Sequence, residues 1–348
     1  MILPRALAAL LLLVIAAVPL VPMGGIRQYV LHVLVQIFIW SFIAGAWSLM
    51  GRFRLVSLGH GAFLGIGAYT ATLLWNFFGL TPWVGGLAAV AAAVAVAFVI
   101  GYPCYRLRVV GHYFVLVTLA MGEVVRLLII AERGWTGGSL GLTLRPAPGR
   151  ASLLAMQFAD KRVFYYASIA LWLGGLSIWR RLDRSMARSA LEAIGEDETA
   201  AASVGIDVTR FKLGVTALSA ALTAAGGVLY AQYITYVSPE TLSGIGVSLR
   251  IVFAAVLGGM YSLLGPTVGT ALTIALSEYL RVTFGIRLIG MAETIYGLAL
   301  ILFIIFLPAG VYGALSEWML RRAAARPRDA TPGGGPGRVL PNEGFGRS

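Results

Sequence analysis

The sequence predicts an all-α polytopic membrane protein with about ten spans, on three observations. Of its 348 residues 59% are hydrophobic and only 12% charged, and its mean hydropathy is +0.84; soluble domains carry roughly 25% charged residues. The apolar runs are mostly about 20 residues long, the length a helix needs to cross a ~30 Å hydrocarbon core. They lack the short alternating segments of a barrel, the other fold that satisfies its backbone within lipid.

The spans are placed at 6–22, 28–50, 57–78, 83–105, 112–131, 163–179, 212–237, 247–264, 266–284 and 288–308. The first follows a single basic residue, Arg5, and no small-x-small cleavage site precedes Arg27, so it is read as an uncleaved helix rather than a signal peptide. Cytoplasmic termini put Arg5, Arg52, Arg54, Arg106, Arg108, the bases of the 180–212 loop and the C-terminal arginines on one side, as the positive-inside rule favours. The net charge of +12 therefore sets topology and implies no nucleic-acid partner. Cys104 is the single cysteine, which excludes a disulfide framework and a cysteine metal site; no metal or cofactor is expected. Residues 1–322 are read as one transmembrane unit with a 132–162 loop on the extracytoplasmic side, turned at Trp135–Leu142 by glycines. The Pro- and Gly-rich stretch 323–348 is read as a disordered cytoplasmic tail.

Two segments are unusually rich in glycine. In the first, Ser57, Gly59, His60, Gly61 and Gly65 include the small-xxx-small spacing of closely packed helices, and permit a broken or re-entrant entry. In the second, Gly258, Gly259 and Gly265 precede Pro266, which is expected to break or kink the chain. One in each half, they mark either a translocation path or tight helix packing. Charges within spans should pair, so Glu123 with Arg126 and Glu278 with Arg281, each three apart, are expected ion pairs. Glu293 has no sequence-local partner. His60 and His112, near helix starts, are read as capping or packing residues.

The 179–212 loop holds Asp183, Glu192, Glu196, Asp197, Glu198 and Asp207 of the chain's 15 acids, opposed by Arg180, Arg181, Arg184, Arg188, Arg210 and Lys212. A folded, charged, nearly neutral loop in an apolar chain reads as a docking surface for a soluble partner. A helix is expected over 189–203, with Glu192, Glu196, Thr199 and Ser203 on one face and Gly205 ending it.

The run Glu192–Lys212, the Ser57–Tyr69 segment, Tyr113–Arg126, the Trp135–Leu142 turn and Ala220–Gln232 together resemble the branched-chain amino-acid ABC transporter permeases, the LivM branch of the LivH/LivM family. The resemblance runs from about 28 to 313. It implies a second, LivH-like permease subunit, two cytoplasmic ATP-binding subunits and an extracytoplasmic solute-binding protein, in the bacterial inner membrane. It places Glu192, Ala193, Gly195, Glu196 and Gly205 in the loop that docks into the ATPase. Branched-chain or related amino acids are the implied small-molecule solutes. No Gly-Lys-Ser/Thr of a nucleotide-binding loop occurs, and no clustered residues suggest an enzyme. A secondary transporter or channel for a small polar solute such as an amide or urea is the alternative. It would couple ions through Glu123, Glu278 or Glu293, and would leave the charged loop without a role.

Overall fold

The computed structural model describes residues 13–21, 24–147 and 151–284, with scattered positions from 294 to 313. The first half of the first expected span, most of the last, Glu293 and the 323–348 tail therefore lie outside the described residues.

Helix α1 (Arg27–Gly51) is apolar on every side between Gln28 and Met50, and it forms the axis of the core. Leu31, Val35, Ile39, Ile43, Trp47 and Met50 along it are fully buried. After an irregular stretch α2 (His60–Phe78) ends on Gly79 in the left-handed conformation. Helix α3 (Pro82–Arg106) opens with a proline in its first turn, where a missing N–H removes no helical bond. Helix α4 (His112–Ala131) packs chiefly against α2 and is mostly exposed in the isolated chain.

Helix α5 (Lys161–Asp183) starts at Asp160, whose carboxylate accepts from the Arg162 N–H at 2.9 Å. Two short helices follow, α6 (Met186–Glu196) and α7 (Glu198–Ser203). The long α8 (Val208–Ile234) is capped by Asp207 and rich in Gly, Ala, Ser and Thr. Those small residues let it lie against α1, α2 and α3 together. Helices α9 (Ile245–Gly258) and α10 (Gly265–Phe284) form a hairpin against α1. Among the described residues five segments are long and apolar enough to cross a membrane: Gly24–Gly51, Pro82–Arg106, His112–Ala131, Val208–Ile234 and Pro239–Gly258.

Away from the helices, Leu142–Thr143 pairs antiparallel with Tyr236–Val237, and Ala151–Ser152 with Gln157–Phe158. Three expectations change in detail. The 247–264 span ends as a helix at Gly258, because Gly259 takes φ +107 and the chain turns through 260–264. Pro266 accordingly sits in the first turn of α10, where it breaks nothing. The single helix expected over 189–203 is two, because Asp197 adopts an extended conformation (φ −151°, ψ 112°) and caps α7 through the Thr199 and Ala200 N–H groups.

Candidate functional site

The first candidate site lies where the starts of α2 and α9 meet α4. The chain descends from Tyr236–Val237 through a one-turn helix, Pro239–Leu242, and restarts as α9 after Ser243 and Gly244. A Cβ on Gly61 would lie 3.1 Å from the Gly244 carbonyl oxygen, and one on Gly65 2.7 Å from Ser243 Cβ. Glycine at both positions is what lets the two segments approach this closely. The Gly61 N–H donates to Ser248 Oγ at 2.9 Å, and the Leu58 N–H to Thr118 Oγ1 at 3.1 Å. A Cβ on Gly59 would meet the Thr118 carbonyl oxygen at 2.6 Å. Ser57, Gly59, Thr118 and Gly122 share a small cavity with Phe63 and Thr216.

His60 points the other way, into the core between α1 and α8, and is fully buried. Its Nε2 lies 2.8 Å from Ser219 Oγ. That hydroxyl donates to the Ala46 carbonyl at 2.7 Å, so His60 Nε2 carries the proton of the shared bond. The other ring nitrogen, Nδ1, has no partner among the described residues.

Above this crossing sits a charge cluster. Arg126 Nε donates to Glu123 Oε1 at 2.8 Å, and Arg126 Nη1 to Glu240 Oε1 at 2.5 Å. Arg126 Cδ lies 3.8 Å from where a Cβ on Gly244 would be, which places the cluster on the α2–α9 contact. Elsewhere Arg281 donates to Glu278 at 2.6 Å, and Tyr29 donates to the same carboxylate at 3.0 Å, tying the start of α1 to the end of α10. Gly258, Gly259 and Gly265 lie in the α9–α10 turn, where a Cβ on Gly258 or Gly265 would overlap backbone of the facing strand of the hairpin. Among the described residues no three His, Cys, Asp or Glu side chains gather to hold a metal ion.

The second candidate site is the pair α6–α7. Leu191 and Ile194 point inward and are buried, Leu191 in a cluster with Met50, Phe53, Leu55, Tyr105, Phe114 and Leu213. Burying two such side chains stabilises the attachment by about 3–6 kcal/mol. Glu192, Ala193, Glu196 and Asp197 are left exposed, while half-buried Gly195 lies over the Phe53 carbonyl. Glu192 pairs with Arg188 one turn earlier at 2.7 Å and holds its guanidinium above the ordinary pKa through that hydrogen bond. Gly205 takes φ +90 and ends the motif, with its N–H bonded to the Ala202 carbonyl.

Ion pairs also pin this loop to the helix bundle. Arg54 reaches Glu196 at 2.8 Å, Arg52 reaches Asp183 at 2.6 Å, and Lys212 pairs with Glu198. Arg52 stacks over Trp179, 4.2 Å from the ring centre; burial pushes its guanidinium below the ordinary value and Asp183 pulls it back. A cleft of about 720 Å³ opens between α6–α7 and the Arg106–Gly111 linker, with Tyr105, Phe114 and Lys212 in its wall.

Sequence reasoning did not single out Glu240, Ser243, Gly244 or Ser248. The Ser238-Pro239-Glu240 run is a helix-start signal that marks a restart in this region, since Ser238 Oγ accepts from the Thr241 N–H. The pairs Arg52–Asp183, Arg54–Glu196 and Lys212–Glu198 join distant parts of the chain and leave no local spacing to read.

Comparison with known proteins gives the family. Residues 29–309 match the family model described as the permease component of the branched-chain amino acid transport system. The chain is 34% identical over 256 residues, 67% of its length, to the high-affinity branched-chain amino acid transport system permease protein LivM of Salmonella typhimurium strain LT2. It has the same identity over the same length to LivM of Escherichia coli strain K12. The matched region covers 59% of each of these relatives. No solved structure matches the chain. With more than half of its length matched, this chain belongs to the family of branched-chain amino acid transport system permease components.

Proposed function

We propose that this chain is a permease subunit of an ATP-driven importer for branched-chain or related amino acids. It sits in the inner membrane with both termini cytoplasmic and about ten spans. It pairs with a second, LivH-like permease, two cytoplasmic ATP-binding subunits and an extracytoplasmic solute-binding protein. The relatives' names support the solute class, and the geometry of α6 supports the coupling.

The observation that carries the reading is that α6 exposes Glu192, Ala193 and Glu196 while Leu191 and Ile194 are sunk in the bundle. A helix built this way offers a charged face to a soluble partner and passes on whatever moves it. When the ATP-binding subunits close, they push α6, and the push enters α1 and α8 through Phe53, Leu213 and the Lys212–Glu198 pair. The path for solute runs past the α2–α9–α4 crossing at Ser57, Gly59, Gly61 and Gly65, where helices start within the membrane. Gly258, Gly259 and Gly265 keep the α9–α10 hairpin closed beside it. Residues 132–162 receive the binding protein on the opposite face.

The test is to replace Glu192 and Gly195 together in the assembled transporter and measure solute uptake and ATP hydrolysis in proteoliposomes. Uptake is expected to be lost, with hydrolysis no longer responding to the loaded binding protein. Full uptake in that variant overturns the docking assignment.

A further inference from the structure

One guanidinium, Arg126, holds two carboxylates, Glu123 and Glu240, so the cluster carries one negative charge more than it neutralises within itself. Helix geometry places Glu123 and Arg126 about 17 and 21 Å along the roughly 30 Å of α4, well inside the span. The Glu240 side chain is 67% exposed, against 19% for Arg126 and 28% for Glu123. An exposed, unbalanced carboxylate at this depth does not face lipid, because bilayers hold ionised side chains only where they pair or line an aqueous cavity. The face that carries the cluster therefore borders the solute path or a partner that completes the charge.

The two signs are arranged so that each can be offered outward. Glu240 belongs to the one-turn helix just ahead of Gly244, and Arg126 to α4, so the cluster bridges two elements rather than stapling one. Leu127, 51% exposed, lies one turn beyond Glu123 on α4, about 40° round the helix from it and about 100° from Arg126. The cluster thus holds carboxylates that suit an ammonium and a guanidinium that suits a carboxylate, with one exposed apolar side chain on the same half of the helix.

We infer that Glu240, Arg126 and Glu123 form a site that reads the zwitterion of an α-amino acid on its way through the membrane. Glu240 accepts from the solute's ammonium, Arg126 turns from a carboxylate of the cluster to the solute's carboxylate, and Leu127 receives the side chain. The site thus distinguishes amino acids from amides and urea, which lack one or both charges. It rests on the importer reading only for the direction in which the solute moves.

The experiment uses the purified assembly of permeases and ATP-binding subunits, without its binding protein, and follows radiolabelled L-leucine by scintillation proximity. In the unaltered assembly unlabelled leucine is expected to displace the label, while leucinamide, which lacks the carboxylate, and 4-methylpentanoic acid, which lacks the ammonium, do so poorly. Glu240→Gln leaves the Arg126–Glu123 pair in place. It is expected to weaken leucine binding about tenfold and to close the gap between leucine and 4-methylpentanoic acid, with Glu240→Asp restoring part of both. A loss of packing alone would lower all binding without closing that gap. The proposal is overturned if the unaltered assembly shows no displaceable leucine binding at millimolar concentration, or if Glu240→Gln leaves the gap unchanged. It is equally overturned if Glu240→Gln releases the second permease on size-exclusion chromatography, since the missing cation then belongs to that partner. ATP-coupled uptake by the unaltered assembly with its binding protein is measured separately, and its absence sinks the importer reading without touching the binding result.

Discussion

The α2–α9 crossing and the α6–α7 loop are held in opposite ways. At the crossing glycine meets backbone or a short serine side chain: Gly61 lies against the Ser243 and Gly244 carbonyls and Gly65 against the Ser243 side chain, while further along α2 Gly67 meets the backbone of Ala224 in α8. In the loop the contact is made by side chains, with Leu191 and Ile194 as anchors and ion pairs around them. The first kind of joint has almost no slack, because nothing flexible lies between the surfaces. The second tolerates small changes of angle while staying attached. In the importer proposed above, which receives movement at the loop and opens at the crossing, that difference serves both.

The comparison breaks most completely at the glycines. Gly67→Leu, or Gly258→Val in the α9–α10 turn, drives a side chain into backbone that cannot move aside, and should cost more than about 3 kcal/mol. In practice these variants should fail to give a monodisperse protein in detergent; a normal melting temperature would show that these backbone contacts have slack after all. Leu191→Ala empties a fully buried position and should cost about 2–4 kcal/mol. The expected signature is local, with faster proteolysis between 184 and 207 while the melting of the bundle shifts less.

Glu198→Gln comes next. It leaves Lys212, whose side chain is 4% exposed, without its carboxylate, and Glu198 is itself 29% exposed. Removing one partner of a buried pair costs about 3–5 kcal/mol; solvent near Glu198 reduces this to about 2 kcal/mol. Thermal unfolding of the double variant Glu198→Gln/Lys212→Met beside Glu198→Gln alone sharpens the point, because losing both charges should be milder than losing one. The smallest effect on stability is Glu192→Ala, whose half-exposed pair with Arg188 is worth under about 0.5 kcal/mol. The same substitution should weaken recovery of the ATP-binding subunits in co-purification. Unchanged recovery would remove Glu192 from the docking face.

Much of the helical frame could be read from the chain because apolar length is a local property. The runs that became α1, α3, α4 and α8 need no knowledge of their neighbours, and Glu123 and Arg126 are brought into reach by helix spacing alone. The break at Asp197 was also written locally, as an acid able to cap the helix that follows, but the alanine-rich stretch around it outweighed that signal. What could not be read is what depends on crossing partners. Nothing near Gly67 names Ala224, nothing near Arg126 names Glu240, and the burial of Lys212 follows from the meeting of α8 with α3 and α7.

The loop that follows α4 is stitched to the bundle at two levels. Leu142–Thr143 pairs with Tyr236–Val237, while Trp75 donates to the Arg145 carbonyl and Asn76 bonds to both Thr143 and Arg145 at the end of α2. From those stitches one strand of chain runs down to Gly244 and one helix runs down to Gly61, and the two come back together there. Loop, strand and helix close a triangle, and a triangle keeps its shape when one corner is pushed. A load set on that loop is therefore carried to the Gly61–Gly244 contact along two struts at once, with little of it spent on bending the loop.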